Sequence, residues 1–153
     1  MIKSKFAFTT ALFVSVILSS VTAQAVQLAS YESGQPSTHC REKWTKRGVL
    51  DSRMYNYCMG RQLEGYADLK NLISKYSHQK WIQDAVNHSF NKWTNRSVTQ
   101  WHMVHHELEK ITEAHEDILY EMKQPNWNRS RFEFCSKKWG IQLYMVTYCY
   151  KNE

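Results

Sequence analysis

Histidines give the middle of the chain its most reactive side chains. The segment WHMVHHELEKITEAHED, residues 101–117, contains four of the seven histidines: His102, His105, His106 and His115. His102 and His106 are four residues apart, so on a helix both imidazoles can reach one metal ion, typically zinc or copper. Two ligands on one helical turn bind weakly, and a third would have to come from elsewhere, with His78 or His88 as candidates. The spacing predicts at most a weak metal site at His102 and His106. The alternative is a solvated polar face.

The four cysteines lie in two short stretches that repeat one pattern. Residues 40–58 and residues 135–149 both begin Cys-x3-Trp and end Met-x2-Tyr-Cys, and the first has four more residues between Trp and Met. The close Cys-x2-Cys pairs of a zinc site and the Cys-x-x-Cys of thiol exchange are both missing. In an oxidising compartment, four cysteines are typical of two disulfides.

Three disulfide connectivities are possible for four cysteines. Because the two stretches are copies of each other, the repeat favours the local pairs Cys40–Cys58 and Cys135–Cys149. A straight helix would hold the two sulfur atoms of the second stretch about 21 Å apart along its axis. The chain must therefore turn inside each stretch, and Gly48 and Gly140 are the expected turning points.

The repeated pattern also carries a resemblance to a group of proteins. It is formed by Cys40, Trp44, Met54, Tyr57 and Cys58, and again by Cys135, Trp139, Met145, Tyr148 and Cys149. This pattern resembles a motif of small exported bacterial and prophage-associated proteins, which are generally uncharacterised. The resemblance covers only the two cysteine stretches. It implies an exported structural module and carries no activity with it.

Enzyme signatures are missing from the sequence. His106-Glu107 is not followed by a second histidine at the spacing of a zinc protease helix, and there is neither a Gly-x-Ser-x-Gly nucleophile nor a phosphate-binding loop. The Glu-x-x-His pair of a di-iron helical bundle is also missing. We therefore expect a protein that is not an enzyme and that uses no cofactor.

Helices must position these residues. No glycine or proline occurs between Tyr66 and Gln124, and apolar residues recur there every three or four positions, as on one face of a helix. The phase of this spacing slips near Ser77, and residues 94–97 have turn composition, with Ser97 as a plausible N-cap of the next helix. The sequence predicts an all-α protein, namely an antiparallel helical hairpin or small helical bundle with two disulfide-closed terminal modules.

The N-terminal residues indicate export. Residues 1–25 combine two early lysines, an apolar stretch and Ala23-Gln24-Ala25, which is typical of a cleaved signal peptide. Residues 26–39, with Ser, Gly and Pro, predict a flexible arm, followed by a single helical domain at 40–153. No later segment contains an apolar stretch of about 20 residues, the length that a transmembrane helix needs. We expect a periplasmic or secreted protein.

Charge is distributed unevenly along the chain. Residues 40–62 contain six basic and two acidic residues, and residues 127–151 contain five basic and one acidic residue. Residues 101–124 have the opposite balance, with two basic and six acidic residues. These segments could neutralise each other within the fold, or the basic ones could bind a protein or an anionic envelope component. Nucleic acid is not expected, because the compartment is wrong.

The residues expected to bind a partner are Trp127, Arg129 and Arg131, because Trp and Arg dominate binding hot spots. The sequence predicts an exported binding or interaction protein, such as an inhibitor, an immunity-type protein or an envelope accessory module. The alternative is a metal-handling helical protein that uses His102 and His106.

Overall fold

The computed structural model describes residues 26–153, so the predicted signal peptide at 1–25 lies outside the described residues. Six α-helices account for most of the structure: α1 Pro36–Trp44, α2 Ser52–Tyr76, α3 Ile82–Trp93, α4 Trp101–Glu121, α5 Arg129–Trp139 and α6 Leu143–Asn152. Two small antiparallel hairpins are formed by β1 Thr45–Lys46 with β2 Val49–Leu50, and by β3 Thr94–Asn95 with β4 Val98–Thr99. The prediction of an all-α protein is confirmed. Among residues 26–153, no helix combines the length and the apolar character needed to cross a membrane.

The helices form three consecutive pairs of the same construction. The first helix of each pair ends on a tryptophan, and the second helix has a methionine as its third residue. These residues are Trp44, Trp93 and Trp139, and Met54, Met103 and Met145. The β-hairpins join α1 to α2 and α3 to α4, whereas residues 140–142 alone join α5 to α6. We call the pairs the first unit (36–76), the central unit (82–121) and the third unit (129–152).

The two long helices, α2 and α4, run in the same direction. Gln62 of α2 bonds to Trp101 at the start of α4, and Tyr76 at the end of α2 bonds to Glu116, far along α4. Helix α3 carries the chain back between them, so α2 and α4 are parallel. The sequence predicted either an antiparallel helical hairpin or a small helical bundle. Because the long helices α2 and α4 are parallel, the structure is the small bundle.

Helix α6 packs on α4, also in the same direction. Tyr144 bonds to Glu107 near the start of α4, and Lys151 pairs with Glu121 at its end. The main core lies between α2, α3 and α4 and includes the fully buried Trp101. A smaller core surrounds the second cysteine pair, under the end of α4.

Residues 26–34 lie on the main core, which differs from the predicted flexible arm. The Tyr66 hydroxyl donates to the carbonyl of Ala29 at 3.1 Å, and the Trp101 indole N–H donates to the carbonyl of Tyr31 at 3.1 Å. A Cβ at Gly34 would lie 2.6 Å from the indole nitrogen of Trp101, so glycine allows the segment to lie flat on that ring. The apolar residues of this segment, Val26, Leu28, Ala29 and Tyr31, pack against that core.

Helix boundaries explain the phase slip near Ser77 but do not follow the expected cap. Helix α2 ends at Tyr76 and α3 begins at Ile82, so the apolar spacing changes phase because the helix is broken there. Ser97 does not cap α4, because it lies in the β3–β4 turn with a φ of 66°. The first N–H group of α4, that of Trp101, instead donates to the Oε1 atom of Gln62 at 2.7 Å. A buried side chain of α2 therefore caps the N-terminus of α4.

Candidate functional site

Both predicted disulfides are present. Cys40 is bonded to Cys58 with a Cα–Cα distance of 5.6 Å, and Cys135 is bonded to Cys149 with a Cα–Cα distance of 5.8 Å. Each bridge joins the two helices of its own unit, which confirms the local pairing. The chain turns within each stretch, at a hairpin containing Gly48 and at Gly140, and both glycines have a positive φ. The first and third units are therefore covalently closed.

One end of the first unit carries unpaired positive charge. It is formed by the last turn of α1, the β1–β2 hairpin and the first turn of α2, and we call it the basic end. Its cationic side chains are Arg41, Lys43, Lys46, Arg47 and Arg53, all of them exposed. Among residues 26–153, no carboxylate lies within 4.0 Å of any of these five groups. At the hairpin, the apolar side chain of Val49 is 72 % exposed beside them.

The residues predicted to bind a partner lie together at the start of the third unit. The Trp127 ring is half-buried, 4.8 Å from the ring of Tyr150 and 5.1 Å from that of Phe132. Arg129 is 85 % exposed and pairs with Glu133 at 3.4 Å. Arg131 is half-buried, and its backbone N–H donates to the side chain of Asn128, the N-cap of α5. The structure thus gives Trp127 a packing role, and the binding role of this cluster stays a prediction.

The histidine segment lines a groove between α2 and α4. The groove has a volume of about 350 Å³ and takes His102, His105, His106 and Glu109 from α4. Its α2 wall consists of Arg61, Glu64, Gly65 and Asp68. A Cβ at Gly65 would lie 2.7 Å from the backbone nitrogen of His102, so the glycine lets the two helices touch at the groove floor. The structure therefore brings both predicted metal ligands to one concave surface.

His102 is held by its surroundings in a defined orientation. Its Nδ1 atom lies 2.9 Å from the amide nitrogen of Gln62, which leaves only Nε2 for another ligand. Burial, followed by the positive charge of Arg61, lowers the pKa of His102 below its usual value. A neutral imidazole is the form that binds metal ions. His106 has a different neighbour, since its Nδ1 atom lies 3.7 Å from a carboxylate oxygen of Glu109 and not beside an amide.

The candidate third ligands do not line this groove. His78 lies 3.0 Å from the amide of Gln79, and His88 lies near Glu107. Among the described residues, the only three His, Cys, Asp or Glu side chains with ligand atoms within 4.8 Å of one another are Cys135, Cys149 and Glu153. The two sulfur atoms of that group are joined in a disulfide. A complete metal site at His102 and His106 would need a further ligand to move in.

The central unit also contains a buried carboxylate that is not among the predicted site residues. Glu107 is 4 % exposed, and its Oε2 atom accepts a hydrogen bond from the ammonium group of Lys92 at 2.8 Å. Its Oε1 atom accepts from the Tyr144 hydroxyl at 3.0 Å and lies 3.8 Å from Nε2 of His88. We call these four residues the Glu107 cluster. The signal that could have found it is the repeat itself, because Glu107 has the place in α4 that a cysteine has in α2 and α6.

The acidic segment of α4 neutralises little of the basic charge elsewhere. The pair formed by Lys151 and Glu121, at 3.3 Å, joins the third unit to α4. The basic end of the first unit has no such partner among the described residues.

Comparison of the chain with protein-family models, with curated proteins and with solved structures gave no match.

Proposed function

We propose that the protein is an exported binding protein that attaches through the basic end of its first unit to an anionic surface of the cell envelope. The observation that carries this proposal is the unpaired charge of that end, where five exposed cations have no carboxylate within 4.0 Å among residues 26–153. Cationic groups near an anionic membrane surface contribute about 1 kcal/mol each. The same stretch contains two acids, Glu42 and Asp51, so the basic end has a formal net charge of +3, which favours reversible binding to an anionic surface.

Rigidity supports the same proposal. The Cys40–Cys58 bridge holds α1 against α2 beside the hairpin, and Asp51 caps α2 by accepting from the Met54 N–H at 3.0 Å. A surface that is already ordered loses little conformational entropy when it binds. The exposed Val49 at the hairpin adds an apolar contact among the cations. Disulfides persist in oxidising compartments, which agrees with export.

The proposal describes a protein without catalytic activity. In the Glu107 cluster both carboxylate oxygens already accept hydrogen bonds, from Lys92 and Tyr144. The Glu107 side chain is also 4 % exposed, so a substrate has no access to the carboxylate that a general base would need to present. The cluster is therefore better suited to holding helices together than to transferring protons.

The test uses two variants with the same change in net charge. Lys46→Glu with Arg47→Glu reverses two cations of the basic end, and Arg129→Glu with Arg131→Glu reverses two in the third unit. We expect the first variant to bind phosphatidylglycerol vesicles more than about 30-fold more weakly than the wild type, since loss of the two cations alone removes about 2 kcal/mol and the two new carboxylates are repelled by the lipid. The second should lose much less, because Arg129 already pairs with Glu133.

Vesicle co-sedimentation at several salt concentrations measures these affinities, with phosphatidylcholine vesicles as the neutral control. Equal weakening in both variants would show that only net charge matters. A larger loss of affinity in the Arg129 and Arg131 variant would show that the protein binds the vesicles through the cluster predicted from the sequence and not through the basic end. Absence of vesicle binding by the wild type would reject a lipid surface and leave an acidic protein as the partner class.

Metal handling is the second candidate function. It is favoured by the groove between α2 and α4, where His102 and His106 face carboxylates of both helices. Calorimetry with Zn²⁺ or Cu²⁺ should then show stoichiometric binding that is lost in the His102→Ala, His106→Ala variant. His78→Ala is the control, since this exposed histidine does not line the groove. Binding that survives the first variant would exclude this site.

A further inference from the structure

A twelve-residue segment of the central unit matches the corresponding segment of the first unit at six positions. Residues 43–54, KWTKRGVLDSRM, and residues 92–103, KWTNRSVTQWHM, share Lys, Trp, Thr, Arg, Val and Met at the same positions. Both segments form the end of a helix, a two-stranded hairpin and the start of the next helix. Both hairpins also turn through two residues with positive φ. Such agreement of sequence and backbone identifies two copies of one structural unit.

The third unit preserves the same contacts with a shorter turn. In all three units a lysine precedes the tryptophan that ends the first helix, and its ammonium group lies over that indole. The distances to the ring centre are 5.7 Å for Lys43, 5.7 Å for Lys92 and 5.6 Å for Lys138. The three units therefore share one local geometry, although only two of them contain cysteines.

The positions of the cysteines fix their equivalents in the central unit. In the first and third units, one cysteine lies four residues before the tryptophan and the other is the seventh residue of the second helix. Ser89 lies four residues before Trp93, and Glu107 is the seventh residue of α4. Both are buried, like the four cysteines. The central unit thus has Ser89 and Glu107 at the two disulfide positions.

We propose that the Glu107 cluster is an acid-sensitive clasp that replaces the disulfide of the central unit and fastens α3 and α6 to α4. Ser89 takes no part in the clasp, because its hydroxyl donates to the Ala85 carbonyl at 2.8 Å. Lys92 of α3 and Tyr144 of α6 bind the two oxygens of Glu107. Where a disulfide joins two helices, this carboxylate joins three.

The groups around Glu107 determine how the clasp responds to acid. They are His88 and Lys92 from α3 and Tyr144 from α6, with the Gln142 side chain 3.5 Å from the Tyr144 hydroxyl. Burial acts to raise the pKa of Glu107, but the hydrogen bonds from Lys92 and Tyr144 and the charge of Lys92 outweigh it and lower that pKa. The clasp is therefore complete above the ordinary carboxyl range and is lost as the pH falls through the lowered pKa. The two disulfides do not respond to acid in this way.

The equivalence of the positions is tested by converting them to cysteines. Ser89→Cys with Glu107→Cys, refolded with oxidised glutathione, should form a third bridge, as two thiols lose two protons and two electrons to glutathione. Non-reducing peptide mapping should recover residue 89 linked to residue 107 beside the two native bridges. Ser89→Cys with His106→Cys is the control, because one residue along α4 points to another face, and its thiols should stay free. Free thiols in the first variant, scrambled bridges or failure to fold would each overturn the equivalence.

The clasp itself is tested without new cysteines. Glu107→Gln keeps the shape of the side chain and removes its charge. Its urea midpoint should lie below that of the wild type at pH 7, and the gap should narrow as the pH falls through the lowered pKa of Glu107, because the wild-type carboxylate then becomes neutral as well. Glu113→Gln, an exposed change on the same helix, should follow the wild type at pH 7 and in acid. A gap that persists unchanged in acid, or no gap at pH 7, would overturn the clasp.

Discussion

The contact between α2 and α4 at Gly65 allows a quantitative test of the bundle. Gly65→Ala places a Cβ 2.7 Å from the backbone nitrogen of His102, against an ordinary separation of about 3.5–4.0 Å. Neither backbone can rotate away, so the helices must separate by roughly 1 Å. Overpacking of this kind costs about 1–3 kcal/mol. Gly60 lies on the same helix, and a Cβ added there meets no atom within 4 Å.

The two alanine variants together isolate the steric cost. Replacing glycine by alanine inside a helix stabilises it by about 1 kcal/mol, and this gain is common to both positions. We expect Gly60→Ala to be more stable than the wild type by about that amount. Gly65→Ala should be less stable than Gly60→Ala by about 1–3 kcal/mol. Urea unfolding followed by circular dichroism, under non-reducing conditions, measures both.

The result that would refute this reasoning is a Gly65→Ala variant as stable as Gly60→Ala. It would mean that α2 and α4 do not touch at Gly65, and the parallel arrangement of the two helices would be wrong. A secondary readout is the groove, since separating the helices should change the environment of His102. The His102 ring resonances should shift in Gly65→Ala and stay in place in Gly60→Ala.

Three further predictions follow from the hairpin, the cap and the histidines. Ser97→Gly should stabilise the protein by about 1 kcal/mol in urea unfolding, because Ser97 has a φ of 66°; no gain would contradict the turn. Gln62→Ala should cost about 1–3 kcal/mol, because it leaves the Trp101 N–H without its acceptor, and amide exchange at that residue should accelerate. Burial is the largest cause of the lowered pKa values of His39, His102 and His115, so the folded protein binds fewer protons than the unfolded chain near the ordinary pKa of 6.5. Stability should therefore be full above that pH and decrease as the pH falls through it, which urea midpoints at about pH 8 and about pH 5 would show; equal midpoints would contradict the burial of these rings.

The sequence allowed the helical class and both disulfides to be predicted, for physical reasons. Apolar spacing of three and four residues directly reports a helix with one buried face. The repeated cysteine pattern indicated the local pairing of Cys40 with Cys58 and Cys135 with Cys149, because two copies of one unit close in the same way. Both signals are local in the chain.

The central unit is hard to recognise in the sequence because it lacks the cysteines that mark the other two units. The Lys-Trp-Thr-x-Arg-x-Val run before Met103 is as strong a signal, but Ser89 and Glu107 stand where the cysteines would be. The parallel course of α2 and α4 could not be predicted either. It depends on contacts between distant residues, such as the cap that Gln62 provides for Trp101.

The packing of residues 26–34 was hidden for a similar reason. Its apolar residues Val26, Leu28, Ala29 and Tyr31 are too few to show a helical period, and the Ser, Gly and Pro that follow them up to residue 37 indicate mobility. In the structure its backbone carbonyls accept hydrogen bonds from Tyr66 and Trp101. Side chains elsewhere in the chain thus determine the position of this segment.

The measurement that most directly tests the proposed function is a residue-resolved NMR titration of the chain from residue 26 with short-chain phosphatidylglycerol. We expect the amide resonances of residues 41–53 to shift with increasing ligand, the shifts to weaken as salt rises, and phosphatidylcholine to leave the resonances in place. Shifts confined to residues 127–131, or to the groove around His102, would contradict the proposed function.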